Sequence, residues 1–309
     1  MHKHYSVGTI NMYEQKTKLE NIAILLEPIG QQLTSIENRL RETFNDQHDV
    51  LTAATEHLLD SGGKRVRPIV ALLSASIFEA NQQHAISLAA AVEMLHTATL
   101  VHDDLIDGSL MRRGNKTLNA DLSSEVTILT GDYLFARAAS FAAQTQSVRV
   151  MNLFAETLMT IVNGEIKQSF ANENASSRQN YFQRIQAKTA SMFALAAKAG
   201  AILGTKDEEA IDAMRHYGVQ TGIAFQIVDD ILDFVGNSED IGKPVGHDLL
   251  QGLLTLPALY YIEDNPENSD VASLRNGHNK DQELYERIIQ SISSSSAIDS
   301  AILLISLLI

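Results

Sequence analysis

The stretch AISLAAAVEMLHTATLVHDDLID, residues 85–107, decides the fold class, because it joins a long apolar run to a cluster of aspartates. Its apolar and small side chains occupy more than one face of a helix, which is typical of a helix enclosed by other helices. The same pattern occurs at 150–171, 187–204 and 211–234. Only five prolines interrupt the chain, and we find no alternating strand segments bounded by hairpin turns. These patterns predict an all-α bundle with one core.

Composition limits the partners and the compartment. The chain has 309 residues, and 45% of them are hydrophobic, which is enough for a large core. Lys and Arg number 24 against 38 Asp and Glu, and the net charge of −14 disfavours nucleic acid and anionic membranes as partners. Because the sequence has no cysteine, disulfides and thiolate metal sites are excluded, which favours a cytoplasmic protein. We find no apolar run typical of a signal peptide or a membrane span, so a soluble protein is expected.

The helical pattern predicts a single domain over residues 21–309, preceded by a variable N-terminal extension, residues 1–20. The terminal stretch AILLISLLI, residues 301–309, is unusually apolar, and it is predicted to form a buried final helix turn, with membrane-surface contact as the alternative. The last of the predicted irregular segments is also predicted to be disordered. These segments are 60–64, 108–117, 172–180, 236–247 and 263–281.

Two acidic clusters share the spacing Asp-Asp-x-x-Asp, one in VHDDLIDGSLMRRG at residues 101–114 and one in FQIVDDILDF at residues 225–234. A solvated helix face would explain one such cluster, but two copies in apolar surroundings favour a bound cation, since like charges four residues apart destabilise a helix. Oxygen ligands without cysteine suit Mg²⁺ or Mn²⁺ rather than zinc. Mg²⁺ commonly binds one or two carboxylates together with substrate phosphates, so the substrate is predicted to be a phosphate ester.

A basic turn, SGGKRVRP at residues 61–68, precedes another apolar helix. Glycines that expose backbone amides, together with Lys64, Arg65 and Arg67, make a suitable anion site at the start of that helix. A lone basic turn is often only structural, and the order of residues here is not that of a Walker loop. Other cations near the acidic clusters would complete sites for two diphosphates, namely Arg112, Arg113, Lys188 and Lys243.

Eight motifs in one order carry a resemblance to a known family. They are GGKRVRP, EMLHTATLVHDDLID, RRG, GDYLFARA, GEIKQ, KTA, FQIVDDILDF and GKPVGHDLLQGLLTLP, spread over about residues 51–260. With these motifs the sequence resembles the trans-polyprenyl diphosphate synthases, and among them the medium- and long-chain members such as heptaprenyl, octaprenyl and solanesyl diphosphate synthase.

The resemblance implies an isoprenoid synthase-type helical bundle around a deep central cavity, usually in a homodimer. Two aspartate-rich helices would face each other and hold three Mg²⁺ ions, directly or through water, with Asp103, Asp104, Asp107, Asp229, Asp230 and Asp233 as ligands. The resemblance assigns contacts with the allylic diphosphate to Arg112, Lys188, Gln226 and Lys243. It assigns isopentenyl diphosphate to Lys64, Arg67, His96 and Arg113. Arg65 receives no role and is expected to be exposed.

The implied reaction is a head-to-tail condensation of isopentenyl diphosphate with an allylic diphosphate. Metals and cations would stabilise the pyrophosphate as it leaves, and the isopentenyl double bond would attack the allylic cation. Thr189, Gln226 and the aromatic Phe225 are predicted to stabilise that cation. The residues predicted to be catalytic are Asp103, Asp104, Lys188, Thr189, Gln226, Asp229 and Lys243.

Product length is predicted to depend on the residues that precede the first aspartate. Short-chain members of the family carry bulky aromatics where this sequence has Ala98 and Thr99, so the growing chain would pass, with Leu95 one helix turn deeper as the next obstruction. A medium- or long-chain product is therefore predicted, and the membrane would be touched only transiently during product release. The alternatives are a geranylgeranyl diphosphate synthase and the catalytic subunit of a heteromeric synthase that needs a second chain.

A rival family and the end of the sequence also bear on the resemblance. A terpene cyclase is disfavoured, because its second metal motif normally contains Asn, Ser or Thr with Glu, whereas this chain has DDILD. The end of the sequence is atypical for the family and looks shortened, since it finishes with apolar residues where the family normally continues through further helix. None of the motif residues is lost by this departure.

Overall fold

A computed structural model of the chain describes residues 24, 26–42, 49–60, 62–112, 114–170, 177–236, 245–275 and 282–308. Several sequence predictions lie outside these ranges: the N-terminal extension 1–20, the roles assigned to Arg113 and Lys243, and most of the irregular segments 172–180 and 236–247.

The described chain is almost entirely helical, as predicted. A 3-10 turn at Glu27–Ile29 precedes the first helix, and a π-helical turn at Gln186–Ala190 joins the eighth helix to the ninth. In chain order the helices are α1 Gly30–Glu42, α2 Asp49–Asp60, α3 Val66–Ile77, α4 Gln82–Ile106, α5 Leu118–Asp121, α6 Ser124–Ala143, α7 Val148–Ser169, α8 Arg178–Ile185, α9 Ser191–Gly204, α10 Glu208–Val235, α11 His247–Leu250, α12 Leu256–Asp264, α13 Ser269–Arg275, α14 Gln282–Ser293 and α15 Ser296–Leu308.

Helix α4 is the central helix of the N-terminal part of the bundle. It begins where the Asn81 side chain accepts hydrogen bonds from the backbone N–H groups of Gln83 and His84, which is a favourable N-cap. Side chains from Ala85 to Leu95 are buried on every face of the helix, against α1, α3, α6 and α9. The helix is long and apolar enough to span a membrane, but 78% of its most apolar window is buried, as in the core helix of a soluble protein.

A short hairpin follows α4. Strand β1 (Met111–Arg112) pairs antiparallel with β2 (Asn115–Lys116), and Gly114 at the turn has a φ of 77°, which a residue with a side chain rarely adopts. This hairpin lies in the segment predicted to be irregular, and its two-residue strands are too short to show an alternating pattern in the sequence. The hairpin turns the chain back toward the end of α4 and fixes the backbone of Arg112.

The π-helical turn lies tightly between α7 and α10. A Cβ placed on Gly164 of α7 would come within 2.7 Å of the Ala187 Cβ, and a Cβ placed on Gly222 of α10 would come within 2.5 Å of the Ala190 Cα. Both approaches are possible only because these two residues have no side chain. The turn therefore has a fixed position between the two helices, and it carries Lys188 and Thr189.

The buried apolar residues form two clusters, so the prediction of one core was wrong. The first joins α1, α3, α4, α6, α7 and α9, and the second joins α8, the C-terminal half of α10 and α11 to α15. Helix α10 links them, since Phe225 packs on the first cluster and Ile227 and Ile231 belong to the second. Helix α10 is long enough to extend beyond the first group of helices, and its C-terminal half packs against the second group.

The C-terminal region differs from its prediction in two places. Residues 269–275, inside the segment predicted to be disordered, form helix α13, whose Asp270 is paired with Arg287 of α14. Within the final stretch that was predicted to be buried, only Ala301 is buried, whereas Leu304, Ile305 and Leu308 are half-buried against the second cluster, so that prediction is correct only in part. Leu303 and Leu307 on the outer face of the final helix α15 are 63% and 77% exposed.

Gly222→Ala should destabilise the protein by roughly 1–3 kcal/mol, because the new methyl group would push the π-helical turn away from α10. Denaturant unfolding followed by circular dichroism measures the change. The matched control is Gly30→Ala, since nothing lies within 4 Å of a Cβ at that exposed position in α1. A Gly222→Ala variant as stable as the control would contradict the close packing of the turn.

Candidate active site

Both aspartate clusters lie at the C-terminal ends of helices. Asp103 and Asp104 occupy the last turn of α4, and Asp107 is its C-cap residue. Asp229, Asp230 and Asp233 occupy the last two turns of α10. The carbonyl end of a helix carries partial negative charge, so it adds to the repulsion among the carboxylates. Each cluster therefore needs positive charge nearby.

Lys188 supplies positive charge to the first cluster. Its Nζ is 3.0 Å from Asp103 Oδ2 and 2.9 Å from Glu165 Oε1 of α7. Burial raises the pKa of Asp103, and the neighbouring ammonium offsets part of that effect. Burial would lower the pKa of Lys188, but the two carboxylates outweigh it and raise the pKa. The lysine therefore remains charged in a half-buried position.

Arg112 pairs with the second aspartate of the same cluster. Its Nη2 is 2.7 Å from Asp104 Oδ1, and its Nε lies 2.8 and 3.0 Å from the two oxygens of that carboxylate. The Asp104 side chain is 9% exposed, whereas the arginine side chain is 39% exposed. A guanidinium that binds a carboxylate with several N–H groups is well oriented and can also accommodate a phosphate from the solvent side. Asp107 itself is exposed.

The second cluster is held by neutral hydrogen-bond donors. The Tyr181 hydroxyl donates to Asp230 Oδ2 over 2.7 Å, and the Gln226 amide donates to Asp230 Oδ1 over 3.0 Å. Gln226 in turn accepts a hydrogen bond of 2.7 Å from the Thr189 hydroxyl. Burial raises the pKa of Asp230 to about 6, although both hydrogen bonds act in the opposite direction. The π-helical turn thus reaches α4 through Lys188 and α10 through Thr189.

The other two aspartates of α10 have different surroundings. Asp229 is exposed, whereas Asp233 is 2% exposed and accepts a hydrogen bond of 3.1 Å from the backbone N–H of Asp248. Asp233 therefore fixes the start of α11 to α10. Arg184 lies close by and donates to the Leu254 carbonyl oxygen over 3.1 Å.

The donor set fits a hard divalent cation that arrives with a phosphate. In the ranges that the structure describes, no three carboxylate or imidazole groups converge closely enough to hold one ion by themselves. Each helix end offers instead one or two carboxylate oxygens, which is the number that Mg²⁺ uses when phosphates and water complete its shell. Asp107 and Asp229 are exposed, so their oxygens are accessible for this role.

The residues predicted for the second diphosphate lie near the start of α3 and in the middle of α4. Lys64 is exposed and His96 is half-buried. The Arg67 guanidinium lies over the rings of Phe193 and Phe225, with centroid distances of 5.0 and 5.8 Å. These contacts bring Phe225 of α10 next to a residue assigned to isopentenyl diphosphate, as a condensation site requires.

Arg65 does not match its prediction. It was expected to be exposed and without a role, but its side chain is only 17% exposed and it pairs with Glu93 of α4 and Glu37 of α1. Burial tends to lower the pKa of Arg65, but the hydrogen bonds and charges of the two glutamates outweigh burial and raise it. The guanidinium is therefore a charged link between three segments of the chain.

The residues predicted to control chain length are buried in α4. Leu95 and Ala98 are completely buried, and Thr99 is 7% exposed, with its hydroxyl donating to the His96 carbonyl oxygen over 2.7 Å. Their assigned effect on product length remains a prediction.

Two residues of the site were missed from the sequence. Glu165 was quoted within GEIKQ but received no role, although it binds Lys188. Tyr181 lies seven positions before Lys188 and binds Asp230. For Glu165 a signal existed, because a glutamate inside an otherwise apolar helical pattern indicates a charged partner. For Tyr181 no signal existed, because a tyrosine next to a phenylalanine is equally typical of a core position.

Comparison with known proteins assigns the family. The family model described as polyprenyl synthetase matches residues 48–292, which is most of the chain. The chain belongs to the polyprenyl synthetase family.

Named relatives agree with this assignment. The chain is 38% identical over 246 residues to a prenyl transferase of Synechocystis, covering 78% of this chain and 76% of the relative. It is 36% identical over 267 residues to component 2 of the heptaprenyl diphosphate synthase of Bacillus subtilis, covering 86% and 76%. The polyprenyl synthetase family also includes a solved Caulobacter crescentus polyprenyl synthase complexed with calcium and isoprenyl diphosphate. This chain matches it at 33% identity with a TM-score of 0.85, over 92% and 88% of the two chains. This polyprenyl synthetase is an all-α prenyltransferase, as the sequence predicted.

Asp230→Asn should stabilise the metal-free polyprenyl synthetase at neutral pH. The pKa of Asp230 in the folded protein, about 6, exceeds its ordinary value of 3.8. The protonated side chain therefore contributes stability that is fully present below pH 3.8 and is lost as the pH rises through 6. Removal of the charge should therefore increase the free energy of unfolding at pH 7.5 by on the order of 1–3 kcal/mol, and by less at pH 5.

Urea unfolding with EDTA at the two pH values measures this effect. Asp229→Asn is the matched control, because this neighbour is exposed and its neutralisation should change stability little at either pH. A loss of stability in Asp230→Asn at pH 7.5 would mean that the hydrogen bonds from Tyr181 and Gln226 favour the carboxylate more than burial opposes it.

Proposed function

We propose that this polyprenyl synthetase condenses isopentenyl diphosphate with an allylic diphosphate, head to tail and in the trans configuration, to make a medium- or long-chain polyprenyl diphosphate. The observation that carries the proposal is the pairing of Lys188 with Asp103 and of Arg112 with Asp104. Alternating carboxylates and cations at the end of one helix suit a metal diphosphate, which presents both signs of charge to the protein.

Asp103, Asp104 and Asp107 at the end of α4, with Asp229, Asp230 and Asp233 at the end of α10, would hold the metal, which we propose is Mg²⁺ and three ions in number. The calcium and isoprenyl diphosphate named in the Caulobacter crescentus complex support a divalent ion beside this type of substrate. Bound Mg²⁺ would neutralise charge that develops on the pyrophosphate as the allylic carbon–oxygen bond breaks.

In this proposal Lys188 and Arg112 also stabilise the leaving group. Lys188 and Arg112 each pair with an aspartate, so a metal that takes over the aspartate oxygens leaves both cations next to the incoming diphosphate. A lysine and an arginine held in place in advance stabilise the leaving group without reorganisation during the reaction. Lys243 is proposed as a third cation for the same group.

The side of the site near α10 would stabilise the allylic cation. The Thr189 hydroxyl and the Gln226 amide form one hydrogen-bonded chain that ends on Asp230, which fixes the direction of the amide dipole. Phe225 directly precedes Gln226, and its ring packs against that of Phe193 with the ring centroids 5.2 Å apart. A fixed dipole and an aromatic face are both suited to a transient carbocation.

We also propose that the protein works as a homodimer. Neighbouring helices α6 and α7 expose large apolar side chains, with Leu129 66% and Met159 58% exposed, and Ile128, Val162 and Ile166 beside them at 43–50%. Apolar surface of this kind on two adjacent helices is suited to burial against the same surface of a second copy.

A second candidate is a catalytic subunit that requires a different partner chain. It is favoured by the name of the Bacillus subtilis relative, component 2 of a heptaprenyl diphosphate synthase. Both candidates catalyse the same reaction, but only in the first is the chain active without a different partner chain.

Incubation of the purified chain with Mg²⁺, labelled isopentenyl diphosphate and farnesyl diphosphate tests the proposed function. We expect products longer than geranylgeranyl diphosphate by chromatography, formed by a species that light scattering identifies as a dimer. Lys188→Gln should lower kcat by at least about 100-fold, because it removes a preorganised cation from the leaving group. Lys206→Gln, at an exposed position between α9 and α10, is the control. A wild-type chain that binds both substrates and makes no product would favour the partner-dependent candidate.

Ala98→Phe should shorten the product, because a phenyl ring in place of the fully buried methyl group would block the path along α4. The lengths of the products of wild type and variant, compared at equal conversion, measure the effect. Ala143→Phe, at the exposed end of α6, is the control and should leave the product unchanged. A folded Ala98→Phe enzyme with the wild-type product length would contradict the proposed path.

A further inference from the structure

Arg65 forms a buried ionic link that the proposed reaction does not yet use. Its Nη1 donates to Glu93 Oε1 over 2.7 Å, and its Nε and Nη2 donate to the two oxygens of Glu37 over 2.5 and 3.2 Å. The Arg65 backbone has a φ of 49°, in the left-handed region that a residue with a side chain seldom adopts. The link therefore coexists with an unfavourable backbone conformation, which the surrounding contacts must maintain.

Two of the three segments joined by Arg65, the basic turn and α4, carry residues assigned to isopentenyl diphosphate. Lys64 directly precedes Arg65, and Arg67 follows two positions later at the start of α3. Glu93 lies one helix turn before His96 on α4, so both side chains extend from the same side of that helix. The ion pair with Glu93 thus sets the distance between the basic turn and the turn of α4 that carries His96.

Stability alone does not account for this arrangement. The Glu93 side chain is 7% exposed and that of Arg65 is 17% exposed, so both charges are largely removed from water. A buried ion pair commonly contributes no more stability than apolar residues of the same volume would. Arg65 binds Glu37 with two N–H groups and Glu93 with a third, and a planar guanidinium held in this way fixes the direction and distance between the segments that it joins.

The positive charges of the basic turn lie next to carboxylates of α1 and α4. Lys64, Arg65 and Arg67 place three positive charges within four residues, and they would repel one another in the absence of a counter-charge. Glu37 and Glu93 supply two negative charges on the side of the turn that faces α1 and α4. The two glutamates therefore offset part of the positive charge of the turn.

We propose that Arg65 is a positioning residue for the second diphosphate, and that its ion pair with Glu93 holds Lys64 and Arg67 in register with His96. This inference rests on the proposed function, which assigns isopentenyl diphosphate to those three residues. Arg65 acts through them and does not itself contact the substrate.

The test compares a single with a double substitution. Arg65→Met leaves the Glu93 carboxylate buried without its cation, and it should lower both the melting temperature and the affinity for isopentenyl diphosphate. The double variant Arg65→Met/Glu93→Leu removes both charges, so it should regain most of the stability but not the affinity. The control Arg41→Gln removes an exposed arginine of α1 that pairs with Asp60, and it should change neither property.

Two measurements are made on each variant. The first is the Kd of isopentenyl diphosphate by calorimetry, with Mg²⁺ and a slowly ionising allylic thiodiphosphate present to occupy the allylic site. The second is the KM of each substrate in the chain-elongation assay. For both Arg65 variants we expect Kd and KM of isopentenyl diphosphate to rise on the order of tenfold, with KM of the allylic substrate changed less than about twofold.

The outcomes separate positioning from a merely structural role. If the double variant regains wild-type affinity together with its stability, Arg65 only maintains the fold and the inference is overturned. Equal changes in the KM of both substrates would also overturn it, because the effect would not be confined to one diphosphate.

The same measurements separate this inference from the proposed function. A wild-type chain that binds isopentenyl diphosphate but makes no product would contradict the proposed activity, and the Kd values of the variants would still decide the role of Arg65. A wild-type chain that does not bind isopentenyl diphosphate would overturn both.

Discussion

The repulsion among carboxylates at the ends of α4 and α10 is the constraint on which the site depends. Asp103 and Asp230 are buried at helix ends whose backbone dipoles are also negative, so neither would be stable there without specific partners. The buried aspartates of the two helices are stabilised by different interactions. Asp103 is matched with the ammonium of Lys188, whereas Asp230 receives hydrogen bonds from neutral groups and keeps a raised pKa. The two helix ends are therefore not electrostatic equivalents, in spite of their identical aspartate spacing.

This difference has a structural origin in the segment between the two helices. Gly164 and Gly222 let the π-helical turn lie directly between α7 and α10, and consecutive residues of the turn then face opposite sides. Lys188 faces Asp103 and Thr189 faces Gln226. Single π-helical turns inside helices are frequent at functional sites, and this one contacts both aspartate-bearing helices.

The fold class and the positions of both acidic clusters could be predicted from the sequence, because helical periodicity and repeated local spacing are properties of neighbouring residues. Interactions over long distances in sequence could not. Arg65 lies 28 residues from Glu37 and 28 residues from Glu93, so no local pattern indicates their contact. Tyr181 and Asp230 are separated by 49 residues. The hairpin at Arg112 was missed for the opposite reason, since its two-residue strands are shorter than any periodic signal.

The π-helical turn also means that the two aspartate clusters do not respond independently. A diphosphate that draws the Lys188 ammonium away from Asp103 pulls on a backbone segment whose next residue holds the Gln226 amide through a hydrogen bond of 2.7 Å. The glycine contacts on both sides leave the turn little room to absorb that movement by itself. In the proposed reaction, occupation of the leaving-group site would thereby be transmitted, through a single peptide unit, to the Gln226 amide that donates to Asp230.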